Sequence, residues 1–410
     1  MSRTHNVVRG ALLLGAAAGF MACQSDHFVL AGPTPVDPLF ASYVSLGNSI
    51  TAGYQSGGIN DSTQAQSYAV LLAKSMNTRF AYPSLLKPGC PPPVSNLLTQ
   101  ARVGGATSTP TTCFYRASTT TTLNNVAVPG IASADPIATT AVGSNAANPL
   151  INIILGGKTM VQKALDADPT FATIWVGNND VLGPATSGLI GTATSATVFA
   201  TNYAAMMNAL MTGAPKLKGV LIGVVQVAQV PLLFQAGVLA ASPAAAAAAS
   251  QVAGRPVTLD PVSCAGANAG ALVAFPYLVA ISKRAVGQPG LVFCRPVSGG
   301  GPTDPGDNGI LDITEQATVS ALITAYNTAI KAKADELGFA YYDPNVTLAT
   351  LKADPTKIPP FPNLASTTAP FGQYFSLDGV HPSATTHKLL ANEIITAINA
   401  KFQTTLPAVP

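Results

Sequence analysis

Compact apolar runs alternate along most of this chain with segments whose apolar residues recur at helical spacing. The first run, Tyr43-Val44-Ser45-Leu46, stops at Gly47, and a polar Gly/Ser/Thr segment carries on to Gly53. A buried strand entering a tight loop has this form. Asn125-Val126-Ala127-Val128 repeats it and closes in Pro129-Gly130. Residues 171–176 form a third run, ending in Gly177-Asn178-Asn179-Asp180, and residues 219–225 and 339–342 complete the set. Between the runs, the spacing predicts helices over about 64–76, 159–166, 196–212, 314–336 and 384–402. Strands alternating with helices predict an α/β fold with a mostly parallel sheet covered on both faces. Right-handed crossovers then bring every strand C-terminus, and so every loop just named, to one edge.

Two stretches break the alternation. Residues 81–122 are rich in Pro, Thr and Ser without a period, which predicts an irregular insertion. Residues 231–310 form a second long insertion. Its start, Val230 to Gly254, is apolar and carries an alanine run at 244–249, but Pro231 and Pro243 interrupt it. A packed helical excursion over the edge where those loops gather is the expectation, with a lipid-contacting lid as the alternative.

The N-terminus is of another kind. Arg3 and Arg9 precede an apolar run, Ala11 to Ala22, too short to span a bilayer comfortably. This is the pattern of a signal peptide over residues 1–22. Its end, Phe20-Met21-Ala22-Cys23, resembles a bacterial lipoprotein signal, in which Cys23 is lipidated. Phe20 and Met21 depart from that signal's usual residues, so plain secretion and a short anchoring helix stay open. Residues 23–39 read as a flexible or polyproline-type tether, and residues 40–404 as the globular domain. The expected location is the bacterial cell envelope, membrane-anchored through the N-terminal lipid, or else secreted. Apart from Cys23, the cysteines are Cys90, Cys113, Cys264 and Cys294, an even number that suits an oxidising compartment. Sequence proximity favours Cys90–Cys113 and Cys264–Cys294 over the other two pairings.

Charge narrows the partners. Only 10% of the 410 residues are charged, the formal net charge is +3, and no Lys/Arg run occurs. Nucleic acid is therefore not an expected partner. Neither C-x-x-C nor H-E-x-x-H is present, so the common zinc spacings are missing, and no cofactor or metal is expected. Gly156-Gly157-Lys158-Thr159 imitates the end of a P-loop, but Asn152 stands where its first glycine belongs. Residues 304–315 partly fit a calcium loop, yet Gly306 replaces a ligand position, and a turn before a capped helix is the favoured reading.

Candidate chemistry sits at two distant points. Ser49, in the loop after the first strand, is a candidate nucleophile, although the G-x-S-x-G elbow is not met because Thr51 occupies its last position. A serine hydroxyl needs a base. Once residues 1–22 are set aside, the histidines are His27 in the tether, His387 inside the last helix, and His381 in the turn Ser376-Leu377-Asp378-Gly379-Val380-His381-Pro382. His381 is the candidate base. Asp378 is placed to hold its neutral tautomer and stabilise the imidazolium.

Four blocks now stand in one order: Gly47-Asn48-Ser49, Val128-Pro129-Gly130, Gly177-Asn178-Asn179-Asp180 and Asp378-Gly379-Val380-His381-Pro382. Together they resemble the signature blocks of the SGNH (GDSL-type) esterases and lipases over about residues 41–400, insertions apart. The resemblance implies a flavodoxin-like three-layer α/β/α sandwich and carboxylic ester hydrolysis through an acyl-enzyme. It implies Ser49, Asp378 and His381 as the catalytic residues. Three oxyanion donors follow: the backbone N–H groups of Ser49 and Gly130 and the Asn179 amide. Asp180 is expected to fix its loop. Asn48 departs from the family's usual Asp, which predicts a changed loop hydrogen bond. The expected substrate is an ester of a lipid, or of an acylated small molecule or glycan. Acyl transfer on the same scaffold and a non-catalytic surface binding module are the alternatives.

Overall fold

The structure, a computed structural model, describes residues 33–105, 122–138, 148–295 and 309–410. The chain divides at Thr34 into two units, and Pro35–Pro410 is the larger. Its strands are β1 (Tyr43–Gly47), β2 (Phe171–Trp175), β3 (Lys218–Ile222), β4 (Leu233–Gln235), β5 (Val257–Leu259), β6 (Leu272–Ala274), β7 (Gly290–Val292), β8 (Ile310–Leu311) and β9 (Ala340–Tyr342). The longer helices are α1 (Tyr68–Ser75), α2 (Pro149–Leu155), α3 (Met160–Leu165), α4 (Asn179–Ser187), α5 (Ala196–Gly213), α6 (Pro243–Ala253), α7 (Phe275–Ser282), α8 (Ile313–Leu337), α9 (Pro344–Lys352) and α10 (Ala384–Phe402).

The central sheet runs β1-β2-β3-β9, parallel throughout. Its side chains alternate between two cores, as pleating requires. Tyr43, Phe171, Trp175, Val220 and Ile222 point to one face, where Tyr68 and Leu72 of α1 and Leu390, Ile394 and Ile398 of α10 cover them. Val44, Leu46, Ala172, Ile174 and Leu221 point to the other. There Met160 and Ala164 of α3, Phe199 and Met206 of α5, and Ile323 and Ile330 of α8 close the layer. This is the three-layer α/β/α sandwich that the alternating pattern predicts. Because β1 and β2 are buried on both faces, each reads as an apolar run, not an alternating strand.

Residues 124–128 run along the free side of β1. The Ser45 N–H donates to the Asn124 carbonyl (2.8 Å), and the Val126 and Val128 N–H groups donate to the Ser45 and Gly47 carbonyls (both 3.0 Å). The predicted strand at Asn125–Val128 is therefore a short edge ladder, with a bridge only at Asn125. It delivers Pro129-Gly130 beside the end of β1.

Helix limits follow their caps. The Ser67 side chain accepts from the Val70 N–H, so α1 starts at Tyr68, four residues later than the apolar spacing suggests. Asp312 and Glu315 form a capping box at the start of α8, the capped helix favoured over a calcium loop; residues 304–308 lie outside the described residues. The P-loop-like stretch is a corner between two helices, with Gly156 ending α2 in the left-handed region and Thr159 capping α3.

The 231–310 insertion holds more regular structure than its composition suggests. β4, β6 and β8 form an antiparallel sheet, and β5 pairs in parallel with β7. The alanine run forms α6, whose Ala245, Ala249 and Ala253 lie one turn apart and are buried against a core that includes Phe234, Leu278 and Ile281. Small side chains on one stripe let the helix approach closely. No helix of the described residues is long and apolar enough to cross a membrane. Cys264 and Cys294 are joined in a disulfide 30 residues apart, as sequence proximity suggests. Cys90 is disulfide-bonded as well. Cys113 and Cys23 lie outside the described residues.

Candidate active site

β1 ends at Gly47, and the next turn of chain is a one-turn helix, Ser49–Ala52. The Asn48 Oδ1 accepts from the Ile50 N–H at 3.2 Å and caps it. An Asp here would offer the same acceptor; the Asn adds an amide whose Nδ2 is buried without a partner among the described residues. Thr51, in place of the elbow glycine, places its hydroxyl 2.9 Å from that of Tyr68 and accepts at its carbonyl from the Asn125 amide (2.9 Å). The turn is thus tied to α1 and to the edge ladder, and Ser49 is held at the sheet's C-terminal edge.

The turn before α10 brings the second component. Ser49 and His381, separated by 332 residues, meet with Oγ and Nε2 2.8 Å apart. His381 Nδ1 lies 2.8 Å from Asp378 Oδ2. Burial would raise the Asp378 carboxyl. The charge and hydrogen bond of His381, with backbone N–H groups from His381 and Val380, outweigh burial and leave it at about 2. A carboxylate only accepts, so Nδ1 carries the ring hydrogen and the Nε2 lone pair faces the serine hydroxyl. Gly379, between the two, has φ +67, and a Cβ there would lie 2.9 Å from the Phe371 ring. Only glycine fits this turn comfortably.

The two middle blocks converge on the same point. Gly130 has φ +87. The Asn179 amide donates one N–H to the Ile131 carbonyl (2.7 Å), leaving the other available. Asp180 accepts from the Ser133 N–H (2.8 Å) and hydroxyl (2.6 Å), which locks the Gly130 loop to the start of α4. Burial raises the Asp180 carboxyl despite these bonds. Asn178, the neighbouring amide, instead accepts from the Val225 N–H at 3.0 Å. Ser49, Gly130, Asn179 and His381 all line one open cleft of about 310 Å³.

Several residues at this site carry no signal in the sequence pattern. The loop after Ser49 clamps the Asp378 turn: the Ser56 N–H donates to Ser376 Oγ (2.8 Å), the Gly57 N–H to Asp378 Oδ2 (2.7 Å), and the Leu377 N–H to Ser56 Oγ (3.1 Å). Ser376 Oγ in turn donates to Asp378 Oδ1 at 3.1 Å. Arg102 holds the Gly57 carbonyl at 3.0 Å. Tyr54 lies against the His381 ring, with centroids 4.9 Å apart. Burial and the Asp378 charge push its hydroxyl up to about 12, Arg102 offsetting them in part.

His387 is fully buried and accepts from the Tyr68 N–H at Nδ1 (3.2 Å). Burial, and to a lesser degree His381, hold it down to about 3. Unfolded, it takes up a proton near its ordinary 6.5, so the unfolded chain binds more protons between these values. Its contribution to stability is complete above about pH 6.5 and is lost as pH falls toward 3. Thermal melts of His387→Asn, which keeps an acceptor for Tyr68, are expected to show a shallower acid slope than wild type over this window.

A parallel sheet between helical layers, with a hydroxyl, an imidazole and a carboxylate in line at its strand ends, defines an α/β/α hydrolase. The family follows from the chain itself. The GDSL-like Lipase/Acylhydrolase profile matches residues 43–394, and the chain belongs to that family. Comparison with curated proteins gives no match. Among solved structures, the chain is similar to an extracellular lipase from Streptomyces rimosus at 14% identity, covering 88% of this chain and 99% of that one with a TM-score of 0.40. It is also similar to an active-site mutant of a family two carbohydrate esterase from Clostridium thermocellum at 14% identity, covering 90% of this chain and 65% of that one with a TM-score of 0.37.

Proposed function

We propose that this protein hydrolyses carboxylic esters through an acyl-enzyme on Ser49. The observation that carries this reading is the continuous row from Ser49 Oγ through His381 to Asp378, each step 2.8 Å. Ser49 Oγ attacks the ester carbonyl as its proton passes to His381 Nε2. Asp378 stabilises the imidazolium that forms. The tetrahedral oxygen takes hydrogen bonds from the Ser49 and Gly130 backbone N–H groups and the second N–H of Asn179. Collapse expels the alcohol, which leaves with the His381 proton. Water then repeats the sequence on the acyl carbon, regenerates Ser49 and releases the acid.

One oxyanion donor is worth about 3–4 kcal/mol in such sites. Asn179→Ala is therefore expected to lower kcat on p-nitrophenyl acetate about 10²- to 10³-fold with little change in KM. The anchor of the Asn179 side chain on Ile131 is lost too, so a melting curve should accompany the kinetics.

The enzyme is further proposed to act outside the cytoplasm, carried there by residues 1–22 and held at the envelope membrane through a lipid on Cys23. Its substrate is then an ester of a lipid, small molecule or glycan within reach of that surface.

A fluorophosphonate tests the chemistry directly. Stoichiometric phosphonylation mapped to the Ser49 peptide, matched by a burst of p-nitrophenol from acetyl ester, supports the reading. Absence of both at neutral pH, or labelling at another serine, overturns it.

A further inference from the structure

Two spaces open from Ser49 and His381 in different directions. One is the open cleft described above, walled by Tyr54, Pro91 and Pro129. The other is a narrow apolar slot that leaves the same two residues along the C-terminal edge of the sheet. Its wall follows the strand order. Trp175 is the last residue of β2, Val225 and Val230 lie beyond β3, and Leu348 and Leu351 are on α9, which follows β9. Of the polar side chains along it, Thr386 and the Asn178 oxygen are engaged elsewhere, while Trp175 Nε1 and Asn178 Nδ2 are buried without a partner among the described residues. Thr386 Oγ donates to the Tyr374 carbonyl at 2.5 Å, and the Asn178 Oδ1 accepts from the Val225 N–H at 3.0 Å. Room for the centre of a water molecule amounts to about 70 Å³ in the slot against about 310 Å³ in the cleft.

We infer that the slot takes the acyl chain of the ester, the cleft takes its alcohol, and Leu348 and Leu351 set the chain length accepted. This rests on the reading of Ser49 as the acylated hydroxyl and adds its substrate class: esters of straight-chain acids of medium length. The small free volume argues for an unbranched chain over a branched or aromatic acid. The length comes from the sheet. From β1 to β9 are three interstrand steps, about 14 Å in all. An extended chain advances about 1.2 Å per bond, since three backbone bonds span about 3.5 Å, so the slot accommodates roughly ten to twelve bonds. Each methylene buried there favours the longer ester by up to about four-fold.

The test is a p-nitrophenyl ester series from acetyl to hexadecanoyl with wild type, Leu348→Phe, Leu351→Phe and Leu351→Ala. Wild-type kcat/KM is expected to peak near decanoyl, on the order of 100-fold above acetyl. Either phenylalanine lowers the decanoyl-to-acetyl ratio by roughly 30-fold, and Leu351→Ala moves the peak to longer chains. A flat wild-type series, or phenylalanine variants that lower all esters alike, overturns the assignment.

A second readout needs no turnover. Trp175 is the chain's one tryptophan and lines the slot. Decanoate is expected to change its emission saturably, acetate is not, and Leu348→Phe weakens the response. Chain binding without ester cleavage would remove the hydrolase reading and keep the slot. Cleavage with no change in Trp175 emission and no length preference would remove the slot and keep the hydrolase.

Discussion

Replacing Ser49 by alanine will lower kcat on an acetyl ester by about 10⁵- to 10⁶-fold and leave the fold in place. The side chain makes one hydrogen bond among the described residues, to His381. Its removal therefore strands no other polar group. Ser49 is buried at 8% exposure, in a turn held independently by Asn48, Thr51 and Asn125. The backbone N–H of residue 49, one of the proposed oxyanion donors, is kept in the variant. Residual activity above that of water is then expected from the oxyanion donors alone. Steady-state kinetics alongside a melting curve checks this. A variant with normal melting and undiminished turnover would remove Ser49 from the chemistry.

Asp378→Asn is expected to cost about 10⁴-fold in kcat. Both carboxylate oxygens face only donors: Oδ2 accepts from the Gly57 N–H and His381 Nδ1, and Oδ1 from Ser376 Oγ and the Val380 and His381 N–H groups. An amide at Oδ2 turns an N–H toward His381 Nδ1, which must then accept. The ring hydrogen moves to Nε2, where it faces Ser49 and leaves no base for the hydroxyl proton. The alternative flip sets the amide against three donors instead. The wild-type carboxyl, at about 2 instead of 3.8, also links to stability. Its contribution is present above about pH 4 and fades as pH falls toward 2. Acid melts should show that fading in wild type and not in Asp378→Asn, while the kinetic loss persists at neutral pH. Equal activity of the two proteins at pH 7 would sink the assigned role.

Much of the architecture was legible along the chain. Strands buried on both faces leave dense apolar runs, and Phe171–Trp175 and Tyr43–Gly47 lie where such runs occur. The helices Ala196–Gly213 and Ala384–Phe402 match their predicted spans within a residue at either end. Less legible was the insertion. Strands of two or three residues, such as Ile310–Leu311, are too short for a period of two to register. Pairing across β4, β6 and β8 is decided by tertiary contact. The clamp from Ser56 and Gly57 onto the Asp378 turn was silent for a related reason. Serine and glycine are ordinary loop residues, and only their meeting with a turn about 320 positions away gives them a task.

The order of residues by itself determined the layered α/β plan, the candidate nucleophile at the end of a strand, and the pair Asp378 and His381 three positions apart. These are local properties, written in periodicity and in which side chains the loops can present. What the tertiary structure alone decided is reach and direction. It brings a hydroxyl and a ring nitrogen within 2.8 Å across 332 residues. It buries His387 where it is kept neutral, and it opens a narrow apolar slot in one direction and a wider cleft in another. Parallel crossovers set these outcomes, because they gather separate loops on one edge while the packing of each layer fixes which way its side chains face.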